Sequence, residues 1–312
     1  MINIKPFLHG LLTYLPGMLP RDAGATVSAR YCYSVWLRHL VKLDEAGVST
    51  RPGVVAELGP GASLGVGLAA LISGAGKYYA FDEIKYANSV KNLEIFEELV
   101  ELFNRQERIP DREEFPRVWP QLNSYDFPHH ILSKDRLKEV LEKERLEAIR
   151  QSIKNLDGIS VKNSCIEYFA PWHSSDIVKD QSVDMILSQA VLEHVKDVEA
   201  TYDAIYRWLK YGGVMSHVID FRSHSVLREW NGHWRYSDFA WRLIKGRRKY
   251  FLNRLPYSAH ERFLKEAGFE IINSAEVLKE SRIERGQLAL KFIALTDRDL
   301  SIALAFIQAI KK

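Results

Sequence analysis

His194, His217 and His224, with Asp220 between the last two, are the residues of this chain best suited to move a proton. Histidine changes charge near neutral pH, and a carboxylate beside an imidazole orients it and steadies its charged form. A hydroxyl is a weak nucleophile while it keeps its proton, so such a pair suits an acceptor that must lose one. By pattern His194 opens a helix, His217 lies within a strand, Asp220 ends that strand and His224 follows in the loop. His194 is therefore the first candidate base and His224 the second, while His217 reads as a buried core histidine. Glu193 and His194 with His217 or His224 offer an alternative, a divalent cation.

A second group lies earlier. Residues 57–65 read Glu-Leu-Gly-Pro-Gly-Ala-Ser-Leu-Gly, directly after the apolar run Val54-Val55-Ala56. Glycines after a strand let the backbone approach a ligand closely. A P-loop needs a lysine after its last glycine, and a dinucleotide fingerprint needs glycine where Leu64 stands. Glu57 would face a pyrophosphate poorly but suits a ligand bearing an ammonium and a sulfonium. Asp82 ends the next predicted strand, where a carboxylate accepts hydrogen bonds from two ribose hydroxyls. Together Glu57, Gly59, Pro60, Gly61 and Asp82 point to S-adenosylmethionine.

These residues need an open α/β scaffold that gathers strand ends. Periodicity predicts a helix over 27–44, strands over 54–58 and 77–81, and a helix between them at 63–73. Two helical stretches follow, one through Leu93 and Phe103 and one from Val140 to Leu156, separated by a loop with Pro110, Pro116, Pro120 and Pro128. Strands are expected at 159–166, 183–187 and 214–221, with a helix at 196–209 ended by Gly212-Gly213. A helix at 259–267 and a final strand pair, 269–272 with 288–295, complete the pattern. Alternating strands and helices give a mostly parallel sheet with its ligand at the strands' carboxyl ends. The expected division is an N-terminal helical cap (1–52), a core (53–82 and 158–312) and an inserted helical lid (83–157) over one end of the sheet.

The chain resembles the class I S-adenosylmethionine-dependent methyltransferases. The motifs are Ala56-Glu-Leu-Gly-Pro-Gly61, Phe81-Asp82, Ser182-Val-Asp-Met-Ile-Leu-Ser188, Val191-Leu-Glu-His-Val195 and Leu209-Lys-Tyr-Gly-Gly-Val214. The resemblance implies a Rossmann-like seven-stranded sheet and methyl transfer. It places Glu57, Gly59 and Gly61 at the methionyl end of the cofactor, Asp82 on the ribose, and Ser188 and Gln189 under the sulfonium. Many relatives carry an acid for the adenine amino group where this chain has Ala170-Pro171-Trp172. Some carry Glu-x-x-Glu-His before the helix; here Ala190 replaces the first acid, and no metal is expected because hard cations want several oxygen ligands. A narrower resemblance is to bacterial methyltransferases of surface-polysaccharide biosynthesis, through Ser28-Ala-Arg-Tyr31, Tyr125-Asp-Phe-Pro128, Ser216-His-Val-Ile-Asp220 and Asn253-Arg-Leu255.

Composition sets the remaining bounds. A net charge of +3 gives no argument for nucleic acid, and no apolar stretch is long enough for stable membrane insertion. The first twenty residues make a poor signal peptide, so a cytoplasmic protein is expected. Cys32 and Cys165 have neither metal-ligand nor disulfide spacing. Six basic residues and no acid lie between Arg242 and Arg254; they form either a solvated face or a site for a phosphorylated acceptor. Trp230, Trp234, Tyr236 and Trp241 would suit a sugar ring or a packed lid, and Arg30 with Tyr31 would close over the cofactor carboxylate. The expected reaction is O-methylation of a small-molecule or glycan acceptor. A natural-product or quinone-type methyltransferase, a non-catalytic cofactor-binding scaffold and a nicotinamide oxidoreductase are the rivals, and the oligomeric state is left open.

Overall fold

The Val54–Leu58 and Val183–Gln189 runs are almost wholly buried, as strands covered on both faces must be. A computed structural model describes residues 4–15, 26, 28–157, 164–172, 175–224, 226–248 and 251–312. In chain order its elements are α1 (Lys5–Leu12), α2 (Ala29–Glu45), β1 (Val54–Leu58), α3 (Gly65–Ile72), β2 (Lys77–Phe81) and α4 (Ser89–Asn104). Next come α5 (Lys134–Val140), α6 (Lys143–Lys154), β3 (Ile166–Phe169), β4 (Val183–Gln189), α7 (Val198–Trp208) and β5 (Leu209–Asp220). The chain continues through α8 (Asp238–Lys245), α9 (Tyr257–Ala267), β6 (Phe269–Leu278), α10 (Asp297–Ser301) and β7 (Ile302–Lys311).

The strands form a seven-stranded sheet in the order β3-β2-β1-β4-β5-β7-β6, parallel except where β7 joins β5 and β6. This is the Rossmann-like α/β fold expected from the sequence. The order reverses between β1 and β4, and that switch point opens a crevice at their carboxyl ends. Residues of α2 to α6 share one hydrophobic cluster on one face, and α7 and α9 pack in a second cluster on the other.

Residues 83–157, expected as a lid, contribute to the first of these clusters. Buried Arg38 of α2 donates to the carbonyls of Pro110, Val118 and Pro120. Arg136 of α5 donates to those of Thr50 and Ser73. These guanidiniums satisfy loop carbonyls that burial would otherwise leave unpaired.

Three boundaries differ from expectation. Residues 158–163, the start of the expected third strand, lie outside the described residues, and β3 begins at Ile166. Gly212-Gly213 does not separate a helix from a strand. Leu209 already pairs with Val183, and the sheet register shifts before Met185 meets Val214, with Gly212 at φ +75° bending the chain. The last strand pair is β6 with β7, not 269–272 with 288–295. Residues 302–309 are all buried, as befits a strand flanked on both sides. Leu288, Phe292 and Leu295 instead surround Trp234 in a small separate cluster.

Candidate functional site

The turn after β1 builds one wall of the crevice. Gly59 and Gly61 have φ +63° and +75°, a region costly for other residues. A Cβ on Gly59 would lie 2.6 Å from Val191 Cγ2, so the turn touches the loop beyond β4 with nothing to spare. Gly59 N–H donates to the Phe81 carbonyl (2.7 Å) and Gly61 N–H to Asp82 Oδ2 (3.2 Å), which ties the two strand ends together. Burial raises the Asp82 pKa, and the backbone donors of Glu83 and Gly61 oppose that shift. Trp172 N–H donates to the Asp82 carbonyl (2.9 Å), which sets the indole beside Phe81 with centroids 5.4 Å apart.

A cavity of about 450 Å³ opens here, lined among others by Gly59, Asp82, Trp172, His194, Asp197 and Thr201. Its size suits a nucleoside-bearing small molecule. The close-packed Gly59 turn, the carboxylate at the end of β2 and the Trp172 indole in the wall are what this cavity offers a ligand.

Glu57, Ser188 and Gln189 are engaged elsewhere. Buried Glu57 accepts from Tyr78 Oη (2.6 Å), Ser188 Oγ pairs with His217 Nδ1 (2.7 Å), and Gln189 bridges His39 and the Trp119 carbonyl. Pro60 lies in the turn without lining the cavity. Burial lifts the Glu57 carboxyl from 4.5 to about 7, against the bonds from Tyr78 and Gly67. A folded-state pKa above the unfolded value means stability is lost as pH climbs between the two. Glu57→Gln should therefore gain on wild type by on the order of 3 kcal/mol between about pH 5 and about pH 8 in denaturant titrations. A gap that does not change with pH would rule this out.

The second cluster stands beside the first. After β4 the chain makes a short turn, Leu192–His194, clamped by Asn253, whose side chain donates to the carbonyls of Leu192 (2.7 Å) and Val195 (2.9 Å). The turn puts His194 in the cavity wall and buries Glu193. His224, at φ +47° on the loop leaving β5, brings its ring edge-on to His194 at 5.0 Å. Its Nε2 is 3.4 Å from Asp220 Oδ2 and 3.8 Å from Glu193 Oε1. Arg222 grips Asp220 with two bonds, Nε to Oδ1 (2.7 Å) and Nη2 to Oδ2 (2.5 Å).

The electrostatics separate these groups. Burial opposes the charge on Asp220, yet the bonds from His224 and Arg222 outweigh it and hold the carboxyl well below its usual range. Glu193 goes the opposite way, pushed up by burial and then by the Asp220 charge. Burial and the neighbouring His224 lower His194 to about 4. His217 is fully buried, bonded to Ser188 and lowered to about 3, first by burial.

Among the expected site residues, Gly59, Asp82 and His194 line the cavity, Gly61 bonds Asp82, and His224 joins His194 to Asp220. Arg222 and Asn253 carried no expected role at this site. Arg222 sits two residues beyond the strand-end acid, which is the spacing that could have shown it. Arg30 does not reach the crevice, because Glu114 holds it with two bonds (2.6 and 2.7 Å). Trp234 and Trp241 are buried in two small clusters, so they pack and present no sugar platform. Of the basic run, Arg254 is buried and paired with Asp238, and no described member lines the cavity.

The sequence matches the methyltransferase-domain family over residues 89–274, more than half of the chain. The chain belongs to this family. The matched region holds β3 to β5 with the His194, Asp220 and His224 cluster; the Gly59 turn and Asp82 lie before it. The protein is a methyltransferase of class I, and S-adenosylmethionine is its methyl donor. Similar solved structures include an S-adenosylmethionine-dependent methyltransferase from Mesorhizobium loti, 15% identical over 89% of this chain and 98% of that one, with a TM-score of 0.42. Another is phosphoethanolamine N-methyltransferase 2 of Haemonchus contortus, 15% identical over 100% of this chain and 61% of that one, with a TM-score of 0.44. No curated protein matches the sequence.

Proposed function

We propose that this methyltransferase methylates a hydroxyl oxygen of a polar acceptor, a saccharide or glycan precursor, with His224 as base and Asp220 as its positioning partner. The observation that carries the reading is the His224–Asp220 contact of 3.4 Å beside His194, which lines the cavity. S-adenosylmethionine, when bound, supplies a methyl carbon already activated by its sulfonium. Gly59 and Gly61 would give its chain room, Asp82 would take the ribose hydroxyls, and Trp172 would offer a face to the adenine.

Asp220, pinned by Arg222, holds the imidazole through Nε2, which leaves His224 Nδ1 to receive the acceptor's proton. His194, lowered by burial, and Glu193, whose carboxyl burial pushes up, stand beside this pair. The saccharide class rests on the narrower resemblance, whose Asn253 clamps the His194 turn. We assign the reaction to the cytoplasm, within surface-polysaccharide assembly.

A second reading has its own observation. Glu193, His194 and His224 offer donor atoms within 4.8 Å of one another, and both Glu193 carboxylate oxygens lack a hydrogen-bond partner among the described residues. A divalent cation with a taste for mixed nitrogen and oxygen ligands would fit there and would acidify the acceptor hydroxyl in place of the base. Tracing an isotopically labelled methyl group to an acceptor oxygen tests the O-methylation that both readings share.

A further inference from the structure

Helix α1 wears its apolar residues on the outside. It packs on α8 through its small face: a Cβ on Gly10 would lie 2.0 Å from the Leu243 carbonyl oxygen, so the two backbones meet there. Phe7 stacks edge-on against Tyr236, and Thr13 Oγ1 accepts from Arg247 N–H (2.8 Å). On the opposite side Ile4, Leu8, Leu11 and Leu15 follow one another at helical spacing and are 64, 54, 56 and 53% exposed. Phe239 and Leu243 of α8 extend the stripe, 67 and 41% exposed.

A contiguous exposed apolar stripe marks an interaction surface. Its surroundings identify the partner. Arg242, Lys245 and Arg247 stand on or just after α8, and Lys5 and His9 on α1. Neither Met1–Arg21 nor Phe239–His260 contains a single Asp or Glu. An apolar face edged by basic residues, with the one acid of α8, Asp238, already paired to Arg254 and Lys291, complements the hydrocarbon boundary and negative headgroups of an acidic bilayer. A second copy of the same face would set these cations against themselves, which disfavours self-association. No described helix is long and apolar enough to cross a membrane, so the contact is a surface one.

We propose that the α1–α8 face docks the protein on an anionic phospholipid surface. The inference is independent of the acceptor's identity. The test is flotation of the full chain with phosphatidylcholine vesicles and with vesicles in which phosphatidylglycerol replaces part of that lipid. Binding should be at least about tenfold tighter to the anionic vesicles and should weaken with salt.

Leu8→Glu with Leu11→Glu, and separately Arg242→Ser with Lys245→Ser, should each reduce binding about tenfold or more. All four residues lie outside the cofactor cavity, so thermal melting and S-adenosylmethionine affinity should be unchanged. The charge pair keeps the test open should the glutamate pair fail to fold. Equal binding to both vesicle types, or binding untouched by these substitutions, would overturn the proposal. So would a concentration-dependent dimer abolished by the glutamate pair, which would give the face to a second copy. A soluble polyanion bound as tightly, whether or not Leu8 and Leu11 are changed, would show a surface that reads charge alone.

Discussion

His224→Ala should lower kcat by about 10²–10⁴-fold, the contribution of a positioned base, or about 3–5 kcal/mol of barrier. The acceptor hydroxyl must shed its proton as the bond to carbon forms, and His224 is the exposed ring of the cluster that touches a fixed carboxylate. Cofactor affinity should hardly change, since the residue does not line the cavity.

Asp220→Asn should follow the same pattern with a smaller loss, because it removes the charge that orients the ring and leaves the ring in place. His194→Ala should cost less than about tenfold, since burial keeps that ring neutral without a carboxylate partner. His217→Ala should cost stability and spare chemistry, as the loss of a buried partner for Ser188 predicts. If alanine at His224 retains more than about a tenth of wild-type kcat, base catalysis here fails. Activity that is lost on chelation and restored by Mn²⁺ would move the same three side chains to the cation reading.

Asp82→Ala should weaken S-adenosylmethionine and S-adenosylhomocysteine alike by roughly 10- to 150-fold, or about 1.5–3 kcal/mol for a charged acceptor of hydrogen bonds. Its carboxylate is pre-set by Gly61 and Glu83 N–H groups and already carries the cost of partial burial. Ribose hydroxyls would therefore replace water on an acceptor that is short of it. Because Asp82 also braces the Gly59 turn, melting temperature without ligand must be read beside the affinity. A fall in stability with unchanged calorimetric affinity would take Asp82 out of the site and leave it a turn residue.

The sheet was legible where composition and environment agree. β1 and β2 begin and end at the expected residues because an apolar run between turn residues leaves one solution. The last strand was hidden. Residues 302–311 follow directly on the five-residue α10, and the competing apolar stretch 288–295 has hydrophobic spacing of its own, satisfied by packing on Trp234. The site was legible by type more than by contact. Glu57 carries the expected acid, yet Tyr78 claims it from the neighbouring strand, a pairing visible only through register. The Asp220 and His224 spacing told of a pair and the Arg222 spacing of its local partner, while Glu193 became a neighbour of that pair only through the turn that Asn253 holds.

The most direct measurement is transfer of a carbon-13 methyl group from labelled S-adenosylmethionine, by the purified protein, to a panel of nucleotide sugars and glycan precursors. Mass spectrometry and carbon NMR then locate the label. The expected product carries the labelled methyl on a saccharide oxygen, formed by the wild type and slowed by His224→Ala under saturating cofactor. Label on nitrogen or carbon, or an O-methyl product formed equally fast by His224→Ala and untouched by chelation, would contradict this account.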